Sequence, residues 1–193
     1  MQNFLWGIFF IIGFYSMSAQ NDFEPIEVYL KQGIDSIKLN NNTVKVKKEP
    51  FTLVFVYNNP ETYNGVYVNT SFLKSYYNLE PSETIKDLNY LPQKVYSEHK
   101  FNPYKELKVN DEFFQYFGYN PNANWNKFDR LIKKDGKIIA YRKVTNFYIV
   151  DEKRRIPVED MKFNIFMIFE IIDQNTGKFF NKEIYRAKAK LKF

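Results

Sequence analysis

Two stretches near the end of the sequence alternate with a period of two, and they constrain the fold more than any other feature. Residues 163–172 place five apolar side chains on one face: Phe163, Ile165, Met167, Phe169 and Ile171. Residues 185–193 place Tyr185, Ala187, Ala189, Leu191 and Phe193 on one face and four cations on the other: Arg186, Lys188, Lys190 and Lys192. This is the period of a β-strand, so both stretches are predicted to be strands with one face in a core.

Shorter runs rich in β-branched and aromatic residues precede these two strands and are also predicted to be strands. They are residues 27–30, 34–39, 43–46, 51–57, 66–72, 128–133 and 137–150. The strand at 66–72 is the expected hairpin partner of 51–57. Asn40–Asn42 predicts a turn, because Asn tolerates left-handed backbone angles. Asp135-Gly136 predicts a tight hairpin, because both central residues of its turn need positive φ.

The segment between the two groups of strands lacks a clear period. Ser82 after Pro81 resembles a helix N-cap, and Pro92 and Pro103 interrupt the residues after it. Residues 73–110 are therefore predicted to be a long irregular, partly helical insertion. The whole pattern predicts a mainly β chain built as a single antiparallel β-sandwich, with a small β-barrel as the alternative.

The N-terminus carries the features of a secretory signal peptide. Phe4–Tyr15 is an uncharged apolar run, and Ser16, Ser18 and Ala19 are small residues that suit a cleavage site. The run is too short to span a bilayer. Residues 1–19 are predicted to be the signal peptide and residues 20–193 a single exported β-rich domain, in the periplasm or at the cell surface. An uncleaved interfacial anchor is the alternative.

Composition narrows the possible chemistry. The chain has no Cys and one His, His99, which excludes thiol catalysis and zinc sites built on thiolates or on several histidines. No glycine spacing matches a phosphate-binding loop. We therefore expect no metal and no cofactor. An exported protein is a poor candidate for nucleic-acid binding, and no second apolar stretch reaches transmembrane length.

The formal net charge of +6 favours anionic partners. Four of the cations are regularly spaced along one side of the last predicted strand. Arg186, Lys188, Lys190 and Lys192 have two interpretations. On an exposed edge strand, lysines block aggregation between sheets. As a row, they form a surface for an anionic polymer.

A carboxylate-dependent hydrolase is a further alternative, since two acids suffice to cleave a glycosidic bond. Glu170 lies in an apolar strand, where burial would raise its pKa. An ion pair with Arg142 or Arg186 would explain the same residue without catalysis.

The segment 116–126 is rich in aromatic and amide side chains and holds Trp125, the only Trp that remains after signal removal. Aromatic rings stack on sugar C–H groups and amides both donate and accept hydrogen bonds. Trp125, Tyr119, Asn122 and Asn124 are the candidate carbohydrate site. The alternative is that Trp125 fills the core.

Two short motifs resemble known patterns. The end of the chain, with Phe193, Leu191, Ala189, Ala187 and Tyr185 alternating, resembles the closing strand of outer-membrane β-barrel proteins, which implies such a barrel as an alternative. Asp35-Ser36-Ile37 resembles the short O-glycosylation motif of some exported bacterial proteins. The leading hypothesis is an exported, non-enzymatic binding or envelope-associated module whose partner is a carbohydrate or an anionic envelope component.

Overall fold

Strands form most of the part of the chain that the structure describes, as the sequence predicts. The structure, a computed structural model, describes residues 24–61, 65–77, 95–98, 107–109, 112–118, 127–171 and 186–193. These residues form three open sheets of five, six and three strands, in the manner of a sandwich, and none of the sheets closes into a barrel. Their helices are short: α1 (Lys74–Tyr77) and a 3₁₀ turn at Val158–Asp160.

The five-stranded sheet is antiparallel throughout and has the order β2-β1-β4-β10-β9. Its strands are β1 (Ile26–Gln32), β2 (Asp35–Lys38), β4 (Phe51–Tyr57), β9 (Arg130–Lys134) and β10 (Lys137–Val144). Ile26, Val28 and Leu30 are buried, whereas the residues between them are only partly so. This alternation places one face of β1 in the core.

The six-stranded sheet has the order β3-β14-β13-β5-β8-β7. Its strands are β3 (Asn42–Lys45), β5 (Gly65–Ser71), β7 (Leu107–Val109), β8 (Glu112–Gly118), β13 (Ile165–Ile171) and β14 (Arg186–Lys192). β3 and β14 run parallel, and the other described pairs are antiparallel.

A three-stranded sheet of order β12-β11-β6 completes the described strands. It contains β6 (Val95–Glu98), β11 (Asn146–Ile149) and β12 (Arg154–Pro157). The buried side chain of Gln115 in β8 joins this sheet to the six-stranded one. Its Oε1 accepts bonds from the N–H and Oγ of Ser97 at 3.0 and 3.1 Å, and its Nε2 donates to the Ser97 carbonyl at 2.7 Å.

Aromatic side chains connect the two larger sheets. The ring of Phe55 in β4 lies 5.6 Å from that of Phe117 in β8 and 6.5 Å from that of Phe169 in β13. Phe128 packs against both Phe55 and Phe117. The hydroxyl of Tyr57 donates to the Phe117 carbonyl at 3.3 Å. The core therefore lies between these sheets, and a buried Phe of this kind contributes roughly 3–5 kcal/mol.

The predicted turns have the expected backbone angles. Asp135 and Gly136 both have positive φ, 51° and 74°, as a two-residue hairpin between β9 and β10 requires. Asn41 has φ 51°. The Asn40–Asn42 turn, however, carries the chain from β2 in one sheet to β3 in another.

The predicted hairpin of residues 51–57 and 66–72 is wrong. Both edges of β4 are already paired, one with β1 and the other with β10. β5 instead pairs with β13 and β8 in the six-stranded sheet. β5 is buried on both faces, and β4 is apolar at every position but Thr52, so neither sequence alternates in a way that would assign the two strands to different sheets.

Three further boundaries differ from the sequence prediction. The run 137–150 is two strands in different sheets, because the chain turns at Thr145, whose N–H donates to the Glu98 carbonyl at 2.8 Å. The insertion at 73–110 contains β6 and β7, which are too short to display a period. Phe163 precedes β13 and is 56% exposed rather than buried.

Candidate functional site: a cationic face on the six-stranded sheet

The last strand, β14, presents its cations on the side opposite the core. Ala187, Ala189 and Leu191 are almost fully buried, which directs the residues between them to the outer face of the sheet. Lys188 and Lys190 are partly exposed and Lys192 is exposed. The alternation predicted from the sequence is confirmed for these residues.

β14 is an interior strand, because it pairs with β13 on one side and β3 on the other. The interpretation of lysines as protection of an exposed edge therefore does not apply to Lys190 and Lys192, which lie in the part of β14 that pairs with β3. Edge protection requires unpaired backbone groups beside the charges, and β13 and β3 pair with both edges of β14 at residues 189–191.

Lys45 of β3 extends the row. It lies opposite Lys192 in the parallel register, and its neighbour Val44 is buried beside Leu191 in the core. Lys45 is exposed on the same outer side. We call Lys45, Lys190 and Lys192 the cationic face; Lys188 continues it along β14.

No carboxylate in the described ranges lies within ion-pair distance of the cationic face. The ammonium of Lys190 lies 5.6 Å from the centre of the Phe166 ring, which holds that side chain against the sheet. Adjacent like charges destabilise a sheet slightly. This arrangement is poorly explained by fold stability and well suited to an anionic ligand.

The outer side of the sheet is closed beyond this strip. Phe166, Ile168 and Glu170 of β13 are buried there, as are Tyr67 and Asn69 of β5. α1 lies against β13 and β14. The cationic face is thus a solvent-exposed strip at one side of the sheet, next to a region whose outer residues are buried.

Sequence reasoning identified the β14 part of this site and missed Lys45. Thr43 and Lys45 alternate with Val44 and Val46, which would have predicted their outward direction. The parallel pairing of β3 with β14 leaves no signal in a single sequence. Arg186 begins β14 in the backbone, and its side chain lies outside the described residues.

Glu170 is 2% exposed and accepts a hydrogen bond from Asn69 Nδ2 at 3.4 Å. Its register neighbours on the adjacent strands are Tyr67 and Arg186. Neither residue is acidic. The positions directly opposite Glu170 on the two flanking strands therefore do not supply the second carboxylate that a glycosidase needs.

The sandwich interior holds a cation that sequence reasoning considered only as a partner of Glu170. Arg142 of β10 is fully buried, lies 5.6 Å from the centre of the Phe117 ring and donates to the Lys127 carbonyl at 3.2 Å. Burial lowers the pKa of Arg142, and the charges of Asp129 and Glu98 partly offset this effect. Ile138, Ala140 and Val144 share its face, so the strand period alone predicts its inward direction.

Glu98 links β6 to β12. It is 1% exposed, and both of its oxygens accept hydrogen bonds from Arg155, at 2.7 Å from Nε and 3.0 Å from Nη2. Arg155 also lies over the Tyr148 ring at 5.2 Å. This two-point contact positions the three-stranded sheet rather than a ligand.

A second charged cluster lies at the β1–β2 side of the five-stranded sheet. Lys38 forms ion pairs with Glu24 and, at 3.2 Å, with Glu27. Tyr29 and Asn58 donate to Glu27 at 2.5 and 2.9 Å. Burial alone would raise the pKa of Glu27, but the hydrogen bonds from Tyr29, Asn58 and Lys38 outweigh it and lower that pKa.

A shallow depression of about 520 Å³ lies at the β9–β10 hairpin. Its lining combines both charges: Glu61, Lys133, Lys134, Asp135 and Lys137. Because its acids lie among its lysines, it is a weaker anion site than the cationic face. Its lysines form a matched control set.

The predicted carbohydrate site falls outside the described residues. Trp125, Tyr119, Asn122 and Asn124 all lie within 119–126, and His99 is likewise outside. The signal segment at 1–19 also lies outside them. In the part of the chain that the structure describes, no group of three or more acidic, His or Cys side chains could hold a metal ion.

No protein family matches the chain, and no curated protein matches it. Within the described ranges, no helix has the length and hydropathy needed to cross a bilayer.

Proposed function

We propose that this protein is an exported, non-enzymatic binding module that holds an anionic polymer of the cell envelope on its cationic face. The position of β14 carries the proposal. Lys190 and Lys192 lie on an interior strand and protect no edge, and no described carboxylate forms an ion pair with them or with Lys45 of the neighbouring edge strand β3.

The spacing of the face supports an extended ligand. Lys190 and Lys192 are two residues apart on one strand, which places their Cα atoms about 7 Å apart. Lys45 lies on the neighbouring strand, about 5 Å from β14. A row of this shape on a flat sheet contacts successive charges of a polymer, whereas a small anion binds more tightly in a concave pocket.

The remaining parts of the proposal depend on the sequence. The apolar run Phe4–Tyr15 followed by small residues supports export to the periplasm or cell surface. The lack of Cys supports a role in binding rather than in thiol chemistry. The carbohydrate site around Trp125 stays a separate prediction.

The test measures binding of the mature chain to dextran sulfate, with neutral dextran as the uncharged control. We expect binding to the sulfated polymer alone. The triple variant Lys45→Glu, Lys190→Glu, Lys192→Glu should bind roughly 100-fold more weakly, since each Lys near an anionic surface contributes about 1 kcal/mol.

The matched control reverses the charge of three exposed lysines at the β9–β10 hairpin: Lys133→Glu, Lys134→Glu and Lys137→Glu. It changes the net charge by the same amount. An equal loss of affinity in both triple variants would mean that net charge, not the cationic face, determines binding. Circular dichroism of both variants verifies that they fold.

A further inference from the structure

The β1–β2 hairpin carries the Asp35-Ser36-Ile37 motif on an exposed edge. Gln32 pairs with Asp35, which leaves Gly33 and Ile34 as a two-residue loop. Gly33 has φ +61° and Ile34 has negative φ, the pattern of a type II′ turn. The motif therefore begins directly after the turn, in an extended conformation.

The Ser36 side chain faces solvent. Ser36 lies opposite Lys31, and Lys31 occupies the outer face because Leu30 and Gln32 on either side of it are buried. Asp35 and Ser36 are exposed, and Ile37 is 39% exposed. No described side chain or backbone group is hydrogen bonded to the Ser36 hydroxyl.

The backbone of Ser36 is also accessible. A two-residue loop is closed by a hydrogen-bonded pair, here Gln32 and Asp35, so the next pair, Lys31 and Ser36, is non-hydrogen-bonded. The N–H and C=O of Ser36 consequently point away from β1. Because β1 is the one described neighbour of β2, an enzyme can bind this edge as an added strand.

We propose that Ser36 is O-glycosylated after export. The Ser36 Oγ forms a bond to the anomeric carbon of an activated donor of the glycosyl-phosphate class. The bond from that carbon to the phosphate oxygen breaks, the phosphate leaves with the electron pair, and the hydroxyl proton passes to a base of the transferase. The modification rests on the export part of the proposed function.

The experiment determines the intact mass and N-terminus of the full chain produced in its native host, followed by peptide mapping. The expected product is a processed chain that is heavier than its sequence by whole monosaccharide units, located on Ser36. Ser36→Ala should remove the added mass completely. Ser75→Ala, which changes an exposed serine not preceded by Asp, should leave the added mass unchanged.

The Asp35→Asn variant keeps the hydroxyl and the hairpin and should lower the occupancy of Ser36 at least tenfold if the motif is recognised. A processed chain whose mass equals its sequence overturns the modification and leaves export standing. An unprocessed, unmodified chain overturns both. Added mass on another residue, retained in Ser36→Ala, also overturns the assignment.

Discussion

Two regions of the molecule use lysine in opposite ways. Lys38 lies between Glu24 and Glu27, and Asn40 and Asn58 complete the polar contacts of those carboxylates. The lysines of the cationic face lie beside one another on β3 and β14, with no described carboxylate in ion-pair range. The first arrangement pairs its lysine with carboxylates of the fold, and the second leaves its lysines to the anionic polymer that we propose as the partner.

The comparison separates stability from binding. An ion-pair cluster contributes to folding even when no ligand is present. Adjacent like charges oppose folding slightly and become favourable only when an anion neutralises them. Substitutions in the two regions should therefore change different measurements: stability in the first region and affinity in the second.

After the roughly 100-fold loss of affinity in the triple variant, the largest expected effect is the salt dependence of binding to dextran sulfate. Raising the NaCl concentration fourfold should weaken binding by roughly tenfold or more, because about three cations release counterions from the polymer. The dependence should flatten in the Lys45→Glu, Lys190→Glu, Lys192→Glu variant. Affinity that stays constant with salt would place the binding energy in uncharged contacts and contradict the role of the lysines.

Removing the paired lysine should have the next largest effect, on stability. Lys38→Met leaves Glu24 and Glu27 without their shared cation, and we expect a loss of about 1 kcal/mol in the free energy of unfolding. Urea denaturation measures it. Affinity for the polymer should be unchanged, so a variant with normal stability and weakened binding would reverse the roles assigned to the two regions.

The pH dependence of stability sharpens the same contrast. Burial opposes the shift, but hydrogen bonds to Tyr29, Asn58 and Lys38 hold the pKa of Glu27 below its ordinary 4.5. The contribution of the cluster is therefore complete above that value and is lost as the pH falls through the lowered pKa. We expect less than about 1 kcal/mol, since Glu27 and Lys38 are both partly exposed to solvent.

Lys38 of the same cluster sets a second pH, on the alkaline side, at which the contribution of the cluster to stability is lost. Burial alone would lower the pKa of Lys38, yet its bonds to Glu24 and Glu27 raise that pKa well above its ordinary value. Its contribution is present at and below the ordinary lysine pKa and is lost at still higher pH. Across both pH ranges, the free energy of unfolding measured in urea should vary less with pH in Lys38→Met than in the unsubstituted protein. Identical pH dependence in the two proteins would show that the cluster contributes nothing.

The smallest expected effect is a gain. Lys192→Met removes one of two neighbouring cations and should raise the free energy of unfolding by about 0.3 kcal/mol at low salt. The gain should disappear at high salt, because screening removes the repulsion. A clear loss of stability would mean that Lys192 already has an anionic partner within the fold.

The sequence predicts the structural features that depend on residues close together in the chain. The sidedness of β14 follows from its alternating Ala and Lys residues, and the Asp135-Gly136 turn follows from backbone sterics. The partners of each strand do not follow, because pairing is set by packing over long sequence distances. β4 and β5, adjacent in sequence, lie in different sheets, whereas β3 and β14 pair from opposite ends of the chain.

The candidate site shows the same division. Lys188, Lys190 and Lys192 can be identified from the period of one strand. That β14 has a partner strand on each side cannot be predicted from this period. Lys45 joins them through a parallel pairing that no single-sequence pattern encodes. Arg142 could have been identified from its place between Ala140 and Val144, because the strand period puts it in the core.

Acetylation footprinting of the lysines, with and without dextran sulfate, measures whether the cationic face holds the polymer, and it needs no substitution. We expect the polymer to slow the acetylation of Lys45, Lys190 and Lys192 several-fold and to leave Lys133, Lys134 and Lys137 at their free rates. Protection of the hairpin lysines with no change at the cationic face would contradict this expectation.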